Sequence, residues 1–275
     1  MKKQLAHILA GILLFASIGA HALPEEDRIS LLNHYKQIFP KVKPDDYVYG
    51  ALTLNPDAKE QYDDMMAFPP FVSDVRQGGI MWEKPFKNGA KFASCFKAGG
   101  VNAAAGYPYF DDKMGIVITF ENAINDCLKK NGENEIKYGS RDMALVTSYA
   151  RGLSDNAKVN IKIKTPGALA AYERGKQFYY QRQGQLNFSC STCHVDYAGK
   201  RIRSEELSMM IGQATHFPVF RAGTEPVSLQ TRFVGCQKNT RAEPKEINSP
   251  EYNNLEFFLT YMSNGLKLRT PVFRK

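Results

Sequence analysis

The residues with the clearest chemistry in this sequence are Cys190, Cys193 and His194, which form a Cys-x-x-Cys-His motif. At this spacing two thiols can add to the vinyl groups of a haem as thioethers, while the following imidazole ligates the iron. A zinc site or a redox-active dithiol can also contain a Cys-x-x-Cys pair. The sequence, however, has no second ligand pair at zinc spacing and no strand–helix–strand pattern around the motif. We therefore predict one haem c attached to Cys190 and Cys193, with His194 as its proximal iron ligand.

The two halves of the sequence resemble each other around this motif. The aligned pairs are Phe92 with Cys190, Cys95 with Cys193, and Phe96 with His194. Two further matches follow in the same order, around Cys127 and Cys236 and then around Thr147 and Thr260. The repeat predicts two related domains that meet near residues 155–165, of which the first has lost the haem-attachment motif. The alternative is a chance similarity between short helical segments.

Three of the five cysteines lie outside the haem motif. Cys95 and Cys127 have no cofactor to hold, and an oxidising compartment pairs such thiols. We predict a disulfide between them, which closes a loop of about 30 residues and stabilises the fold by about 3–4 kcal/mol. Two buried free thiols are the alternative.

The iron of the predicted haem needs a sixth ligand or an open position. Methionine and histidine are the ordinary distal ligands of electron-transfer cytochromes. The candidates in this sequence are Met209, Met210, His216, Met262 and Cys236. If Cys95 pairs with Cys127, the repeat places Cys193 and Cys236 close together. We therefore predict Cys236 as the distal ligand.

Arg232 precedes Cys236 by four residues, so the two share one face if the segment is helical. A guanidinium there lowers the pKa of the thiol and can hold an oxyanion through paired hydrogen bonds. Lys238 and Arg241 add weaker positive charge nearby. A solvated surface arginine is the alternative interpretation of Arg232.

The elements that position these residues are predicted to be mostly helical, with a few short strands. Capping residues, prolines and glycines bound the segments. The predicted helices are 25–39, 120–130, 140–150, 166–183, one beginning at Ser204, and 249–265; the predicted strands are 114–120 and 159–163.

The N-terminus has the features of a secretory signal. Lys2 and Lys3 precede an apolar run from Ile8 to Ile18, and Ala20-His21-Ala22 is a small-x-small cleavage site. A retained N-terminal anchor is the alternative. Cleavage near Ala22 removes two lysines and no acids, so the formal charge falls from +8 to +6. We expect a mildly basic periplasmic protein with no membrane span after cleavage and no nucleic-acid partner, because no dense basic run with interleaved aromatics occurs.

Five segments in the second half carry a family resemblance. They are Asn187-Phe-Ser-Cys-Ser-Thr-Cys-His194, Ile211-Gly-Gln-Ala-Thr-His-Phe-Pro218, Arg232-Phe-Val-Gly-Cys-Gln237, Arg241-Ala-Glu-Pro244 and Tyr252-Asn-Asn-Leu-Glu-Phe257. In this order they resemble the SoxA family, the catalytic cytochrome subunits of the SoxAX complex of bacterial sulfur oxidation. The haem motif alone does not identify that family, whereas its combination with Arg-x-x-x-Cys does. The resemblance covers nearly the whole chain after the signal segment.

The resemblance implies a mainly α fold of two cytochrome c-like domains related by a degenerate repeat, only the C-terminal one carrying haem. We predict a signal peptide over 1–22, an N-terminal domain without haem over 23–157, and a C-terminal haem domain over 158–275. The implied activity is that of an L-cysteine S-thiosulfotransferase, which joins thiosulfate oxidatively to a cysteine of the SoxYZ carrier protein. Electrons pass through haem to the SoxX cytochrome, the heterodimer partner. Cys236 then corresponds to the distal cysteine that carries a persulfide, and Arg232 to the catalytic arginine.

Three other functions are compatible with parts of the pattern. In a plain periplasmic electron-transfer cytochrome, Met209, Met210 or His216 would ligate the iron and Cys236 would be incidental. A thiosulfate dehydrogenase that forms tetrathionate also uses cysteine-ligated haem, but ordinarily with two haem motifs. A non-catalytic scaffold subunit would not need the Arg232–Cys236 pair.

Overall fold

The structure is a computed structural model that describes residues 23–222 and 224–274, so the predicted signal segment and its cleavage site at Ala22 lie outside the described residues. The helices are α1 (Pro24–Ile38), α2 (Pro56–Ala67), α3 (Val72–Glu83), α4 (Phe120–Lys130), α5 (Arg141–Gly152), α6 (Pro166–Tyr180), α7 (Leu229–Asn239) and α8 (Pro250–Met262). The strands are β1 (Tyr109–Asp111), β2 (Ile116–Ile118), β3 (Arg201–Ile202), β4 (Glu205–Glu206), β5 (Val219–Arg221), β6 (Glu225–Val227) and β7 (Val272–Phe273). The predicted mainly α class is confirmed. Within the described ranges, no helix is both long enough and apolar enough to cross a bilayer.

The helix starts follow the capping residues in the sequence. The Thr119 hydroxyl accepts a hydrogen bond from the Asn122 amide at 3.1 Å, and the Asn122 side chain accepts one from the Thr119 amide at 2.9 Å. The Ser140 hydroxyl accepts from the Met143 amide at 3.2 Å and opens α5. These side chains satisfy amide groups that the first helical turn leaves without partners. Helices α4 and α5 therefore begin where the sequence predicts.

One predicted helix start is wrong. The segment after Ser204 is not a helix but the second strand of a hairpin, in which Ile202 pairs with Glu205 and Arg201 with Glu206. Arg203 in the turn has a φ of 55°, a left-handed conformation that suits a tight hairpin turn and not a helix. Cross-strand pairing overrides the helix-capping preference of Ser204. The strand predicted over 159–163 is also wrong, since only the neighbouring Lys158 forms an isolated bridge, to Lys267.

The same succession of elements occurs twice. Each series consists of a helix, a short turn with the aligned motif, a β-hairpin and two helices. The first series contains α3, β1–β2, α4 and α5, and the second contains α6, β5–β6, α7 and α8. Both series have a close helix crossing at a glycine. A Cβ on Gly78 would overlap the carbonyl oxygen of Leu145, and a Cβ on Gly175 would overlap that of Asn254. These crossings hold α3 against α5 and α6 against α8.

The two series pack against each other reciprocally, with β2 against α8 and β6 against α5. Helix α1, although first in the chain, lies on α6 of the second series. The Tyr172 hydroxyl donates to the Asp27 carboxylate at 2.9 Å, and Lys176 pairs with the same carboxylate at 2.6 Å. The division of the chain at 157/158 stays a prediction, and α1 contacts residues on the far side of it.

Aromatic rings fill the core of the first series around its aligned motif. Phe92 stacks on Trp82 with ring centroids 5.1 Å apart and meets Phe86 edge-on at 5.0 Å. Phe96 packs against Phe120 at 5.4 Å. Both phenylalanines of the aligned motif are buried. The positions that align with Cys190 and His194 of the second half are thus occupied by core phenylalanines in the first half.

Cys95 and Cys127 form the predicted disulfide, with Cα atoms 5.8 Å apart. We expect Cys95→Ala/Cys127→Ala to lower the free energy of unfolding by about 3–4 kcal/mol, because the bond restricts the unfolded chain. Urea unfolding of the oxidised protein and the variant measures this difference. Reducing agent should move the native protein to the midpoint of the variant and leave the variant unchanged. Equal midpoints for the oxidised protein and the variant would show that the bond contributes nothing.

Candidate functional site

The haem motif lies on one short, capped helical segment. The Ser189 hydroxyl accepts from the Thr192 amide at 3.1 Å, and the Thr192 hydroxyl accepts from the Ser189 amide at 3.1 Å. A single π-helical turn, Thr192–Asp196, follows. The reciprocal cap fixes the start of the segment, so Cys190, Cys193 and His194 project from one ordered turn.

His194 is prepared to ligate a metal through Nε2. Its Nδ1 lies 2.9 Å from the carbonyl oxygen of Ser208 and 2.7 Å from the side-chain amide nitrogen of Gln213. The Ser208 carbonyl oxygen can only accept, which favours a proton on Nδ1 and a free lone pair on Nε2, whereas the Gln213 amide nitrogen is itself a donor and does not accept that proton. Burial lowers the pKa of His194, and the charge of Arg232 lowers it further, against the hydrogen bond to Ser208. The imidazole is therefore held neutral.

Tyr35 fixes the same segment from α1. Its hydroxyl donates to the His194 carbonyl oxygen at 2.6 Å and accepts from the Met210 amide at 3.0 Å. Tyr35 is fully buried. The backbone of the motif is thus tied both to α1 and to the segment that follows Ser208.

Helix α7 brings Cys236 to the motif. Its cap is Ser228, whose hydroxyl accepts from the Thr231 amide at 3.2 Å. Burial raises the pKa of Cys190 to about 12 and also raises the pKa of Cys193. The charge of Cys236 is the second-largest cause at each thiol. The Cys236 thiol is therefore within electrostatic range of both motif cysteines. Its role as the distal iron ligand stays a prediction.

The charges around Cys236 come from three elements. Burial raises the pKa of the Cys236 thiol, Arg232 and Arg221 oppose this, and Glu205 adds to it. Arg232, one helical turn before the thiol, lies 3.7 Å from the Glu205 carboxylate, and Arg221 lies 3.5 Å from it. The site therefore combines a thiol with two guanidinium groups and one carboxylate.

The other candidate iron ligands have contacts of their own. Met209 and Met210 directly follow Ser208, whose carbonyl oxygen lies against Nδ1 of His194, and both are fully buried. The sulfur of Met262 accepts from the Tyr172 hydroxyl at 3.6 Å. His216 is buried near Arg274 and Arg151, and burial lowers its pKa well below the usual range. The three methionines belong to the core cluster against which Cys190 packs.

The donor set fits a haem better than a single metal ion. Cys190, Cys193 and Cys236 are all unpaired. In the parts of the chain that the structure describes, no three His, Cys, Asp or Glu side chains converge closely enough to hold one ion. A haem c takes two thioether sulfurs at its edge and axial donors at its iron, and the three thiols with the free Nε2 of His194 supply these donor types.

Comparisons with known proteins agree with this chemistry. The model of the SoxA/TsdA cytochrome c domain family matches residues 77–159 and 174–268. The L-cysteine S-thiosulfotransferase subunit SoxA of Chlorobaculum tepidum is 43% identical over 261 residues, which cover 94% of this chain and 91% of that protein. This chain belongs to the SoxA family. The SoxA subunit of Allochromatium vinosum is 39% identical over 271 residues, 98% of this chain and 96% of that one. The crystal structure of SoxXA from P. pantotrophus matches with a TM-score of 0.72 and 31% identity, covering 78% of this chain and 84% of that chain.

Membership of the SoxA family confirms the family predicted from the sequence motifs. A cytochrome c domain implies a haem c cofactor, and one of the two matched segments contains the Cys-x-x-Cys-His motif. The roles of individual residues toward that haem are proposals.

Four residues of the site escaped sequence reasoning: Ser208, Gln213, Arg221 and Glu205. A general signal existed for Ser208 alone, because a metal-ligating histidine needs an acceptor for its second N–H. Ser208 follows His194 by 14 residues. Arg221 and Glu205 had no such signal, since only the folded hairpins bring them to Arg232.

Proposed function

We propose that this protein is the catalytic SoxA subunit of a periplasmic haem enzyme with L-cysteine S-thiosulfotransferase activity. It joins thiosulfate oxidatively to a cysteine of a SoxYZ-like carrier protein and forms a heterodimer with a SoxX-like cytochrome. The observation that carries this proposal is that a SoxA-family chain places Cys236 and Arg232 within electrostatic range of the Cys190–Cys193–His194 motif. A predicted signal peptide over 1–22 would direct export.

Four residues would hold one haem. Cys190 and Cys193 would bind it as thioethers, and Nε2 of His194 and the sulfur of Cys236 would ligate its iron. When bound, the haem supplies an iron centre that accepts electrons one at a time. We propose a single haem in this chain, because the first half has buried phenylalanines at the aligned motif and its Cys95 is paired with Cys127.

Arg232 binds the substrate in this proposal. Its guanidinium is about one-third exposed, with a side-chain accessibility of 32%, so an incoming anion can reach it. A guanidinium holds an oxyanion through parallel charge-assisted hydrogen bonds. Because Arg232 lies one helical turn before Cys236, a thiosulfate bound there has its sulfane sulfur close to the Cys236 sulfur.

The net reaction requires an oxidant. One S–S bond forms between the sulfane sulfur of thiosulfate and the sulfur of the carrier cysteine. The carrier thiol loses its proton, and two electrons leave the sulfur atoms and reach the SoxX-like partner. Cys236 and Arg232 position the sulfur, while the neutral His194, held by Ser208 and Gln213, keeps a fixed orientation throughout.

A reconstituted reaction tests the proposal. The haem-loaded protein and its SoxX-like partner are mixed with reduced carrier, thiosulfate and an oxidised cytochrome c acceptor. We expect intact mass spectrometry to show carrier molecules that each gain one thiosulfate group, with two acceptor molecules reduced per addition. Tetrathionate without modified carrier would instead indicate a thiosulfate dehydrogenase. Unchanged carrier and unchanged thiosulfate would indicate a plain electron-transfer cytochrome.

A further inference from the structure

Glu205 lies between two arginines beside Cys236. One carboxylate oxygen is 3.7 Å from a guanidinium nitrogen of Arg232, and the other is 3.5 Å from a guanidinium nitrogen of Arg221. The three side chains come from α7, β5 and β4. All three are within electrostatic range of the Cys236 thiol. The carboxylate therefore sits at the point where an anion would meet both cations next to the reactive sulfur.

The two ion pairs are too long to be hydrogen bonds. At 3.5 and 3.7 Å the charges attract, but the N–H groups that face Glu205 are not engaged in good hydrogen-bond geometry. An oxyanion that presented two oxygens to each guanidinium would gain the bidentate hydrogen bonds that Glu205 does not make. Glu205 thus neutralises the arginines without using their full binding capacity.

The cations are held more firmly than the carboxylate. Arg221 belongs to β5, which pairs with β6 on one side and β7 on the other. Arg232 lies inside α7. Glu205 belongs to a two-stranded sheet of β3 and β4 alone, with two residue pairs, and its side chain is 56% exposed. A carboxylate on so small a hairpin can leave the arginines while both arginines stay in place.

We propose that Arg221 is a second thiosulfate-binding residue and that Glu205 is an internal anion that thiosulfate displaces from Arg221 and Arg232. This inference rests on the proposed function and identifies further residues of the same site. Two guanidinium groups match the two negative charges of thiosulfate, whereas Glu205 supplies only one. Displacement therefore favours a dianion over a monoanion. A bound monoanion supplies only the single negative charge that leaves with the Glu205 carboxylate, whereas a dianion supplies one charge for each guanidinium.

Thiosulfate binding to the haem-loaded protein, measured by titration calorimetry at low salt without carrier, tests this inference. We expect Glu205→Gln to tighten binding by about two- to fivefold, which is the range of an exposed ion pair. Salt should shrink this gain. Arg221→Gln should weaken binding by about 10- to 100-fold, since it removes hydrogen bonds to a charged ligand. Arg221→Lys should recover part of the loss, because it restores the charge but not the bidentate geometry.

The matched control is Glu206→Gln. It removes the same charge from the next residue of β4, whose side chain points to the opposite face of the hairpin, and it should leave affinity unchanged. The inference is overturned if Glu205→Gln binds no more tightly than the native protein, or if Arg221→Gln binds within twofold of it. Binding is measured without turnover, so the outcome is separate from the carrier reaction. Unmodified carrier with the expected affinities would refute the proposed function and leave the anion site standing.

Discussion

Cys236→Met is expected to leave the haem attached and to reduce thiosulfate conjugation by at least about a thousandfold. The thioethers depend on Cys190 and Cys193, and the proximal bond depends on His194, none of which the substitution alters. A thioether sulfur can ligate iron, but it has no thiolate to carry or exchange a sulfur atom. Haem content by absorbance and carrier conjugation by intact mass measure the two expectations on one sample.

Met209→Leu is the control that separates this assignment from an ordinary methionine-ligated cytochrome. Met209 is fully buried and follows Ser208, so leucine replaces it at similar volume. We expect this variant to keep the ferric spectrum and the activity of the native protein. Cys236→Met should instead lose the low-spin signature of thiolate ligation in spin-resonance spectra. The assignment of Cys236 is wrong if the two variants exchange these results, or if Cys236→Met conjugates thiosulfate at the native rate.

The placement of Cys236 shows how far the sequence predicts this site. The repeat aligns the Cys95–Cys127 pair with Cys193 and Cys236; the structure joins the first pair in a disulfide and places the Cys236 thiol within electrostatic range of Cys193. The alignment depends on the order of elements, which a degenerate repeat preserves. The role of Cys236 as an iron ligand stays a proposal.

Local chemistry predicted some elements and missed others. Helix α2 begins after Asn55, whose side chain accepts from the Ala58 amide at 3.0 Å, with Pro56 in the first turn. That cap is visible in the sequence. Helix α3 contains Gly78 and Gly79, which lower helix propensity. Contact with α5, which needs a residue without Cβ at Gly78, maintains the helix there.

The anion-binding part of the site could not be predicted in this way. Glu205 and Arg221 reach Arg232 through two different hairpins, and the first hairpin replaces a helix that Ser204 and the following acids favoured. Two-residue strands have almost no periodic signal. The charges that surround Cys236 are therefore a property of the tertiary structure, whereas the haem motif itself is a property of five consecutive residues.

Substitutions in either attachment motif test how many covalent haems the chain carries. Intact mass spectrometry of the native chain is expected to show one covalent haem, and Cys190→Ala/Cys193→Ala is expected to show none, since both thioether sulfurs are gone. The informative comparison is Phe92→Cys/Phe96→His, which restores the attachment pattern in the first half. We expect this variant still to carry one haem and to lose about 3–5 kcal/mol of unfolding free energy, the cost of removing large aromatic side chains from a core.

The space around Phe92 and Phe96, and not the attachment motif alone, determines whether the first half can bind a haem. The restored pattern would lie against Trp82, Phe86 and Phe120, whose rings pack around Phe92 and Phe96 at centroid distances of 5.0 to 5.4 Å. Adding Cys127→Ala frees Cys95 from its disulfide and separates the two possible obstacles. If the triple variant gains a second haem where the double variant does not, the disulfide is the obstacle that remains once the attachment motif is restored. If it stays at one haem, the aromatic core excludes the macrocycle, because a close-packed interior does not open to admit so large a group without losing the contacts that hold it together.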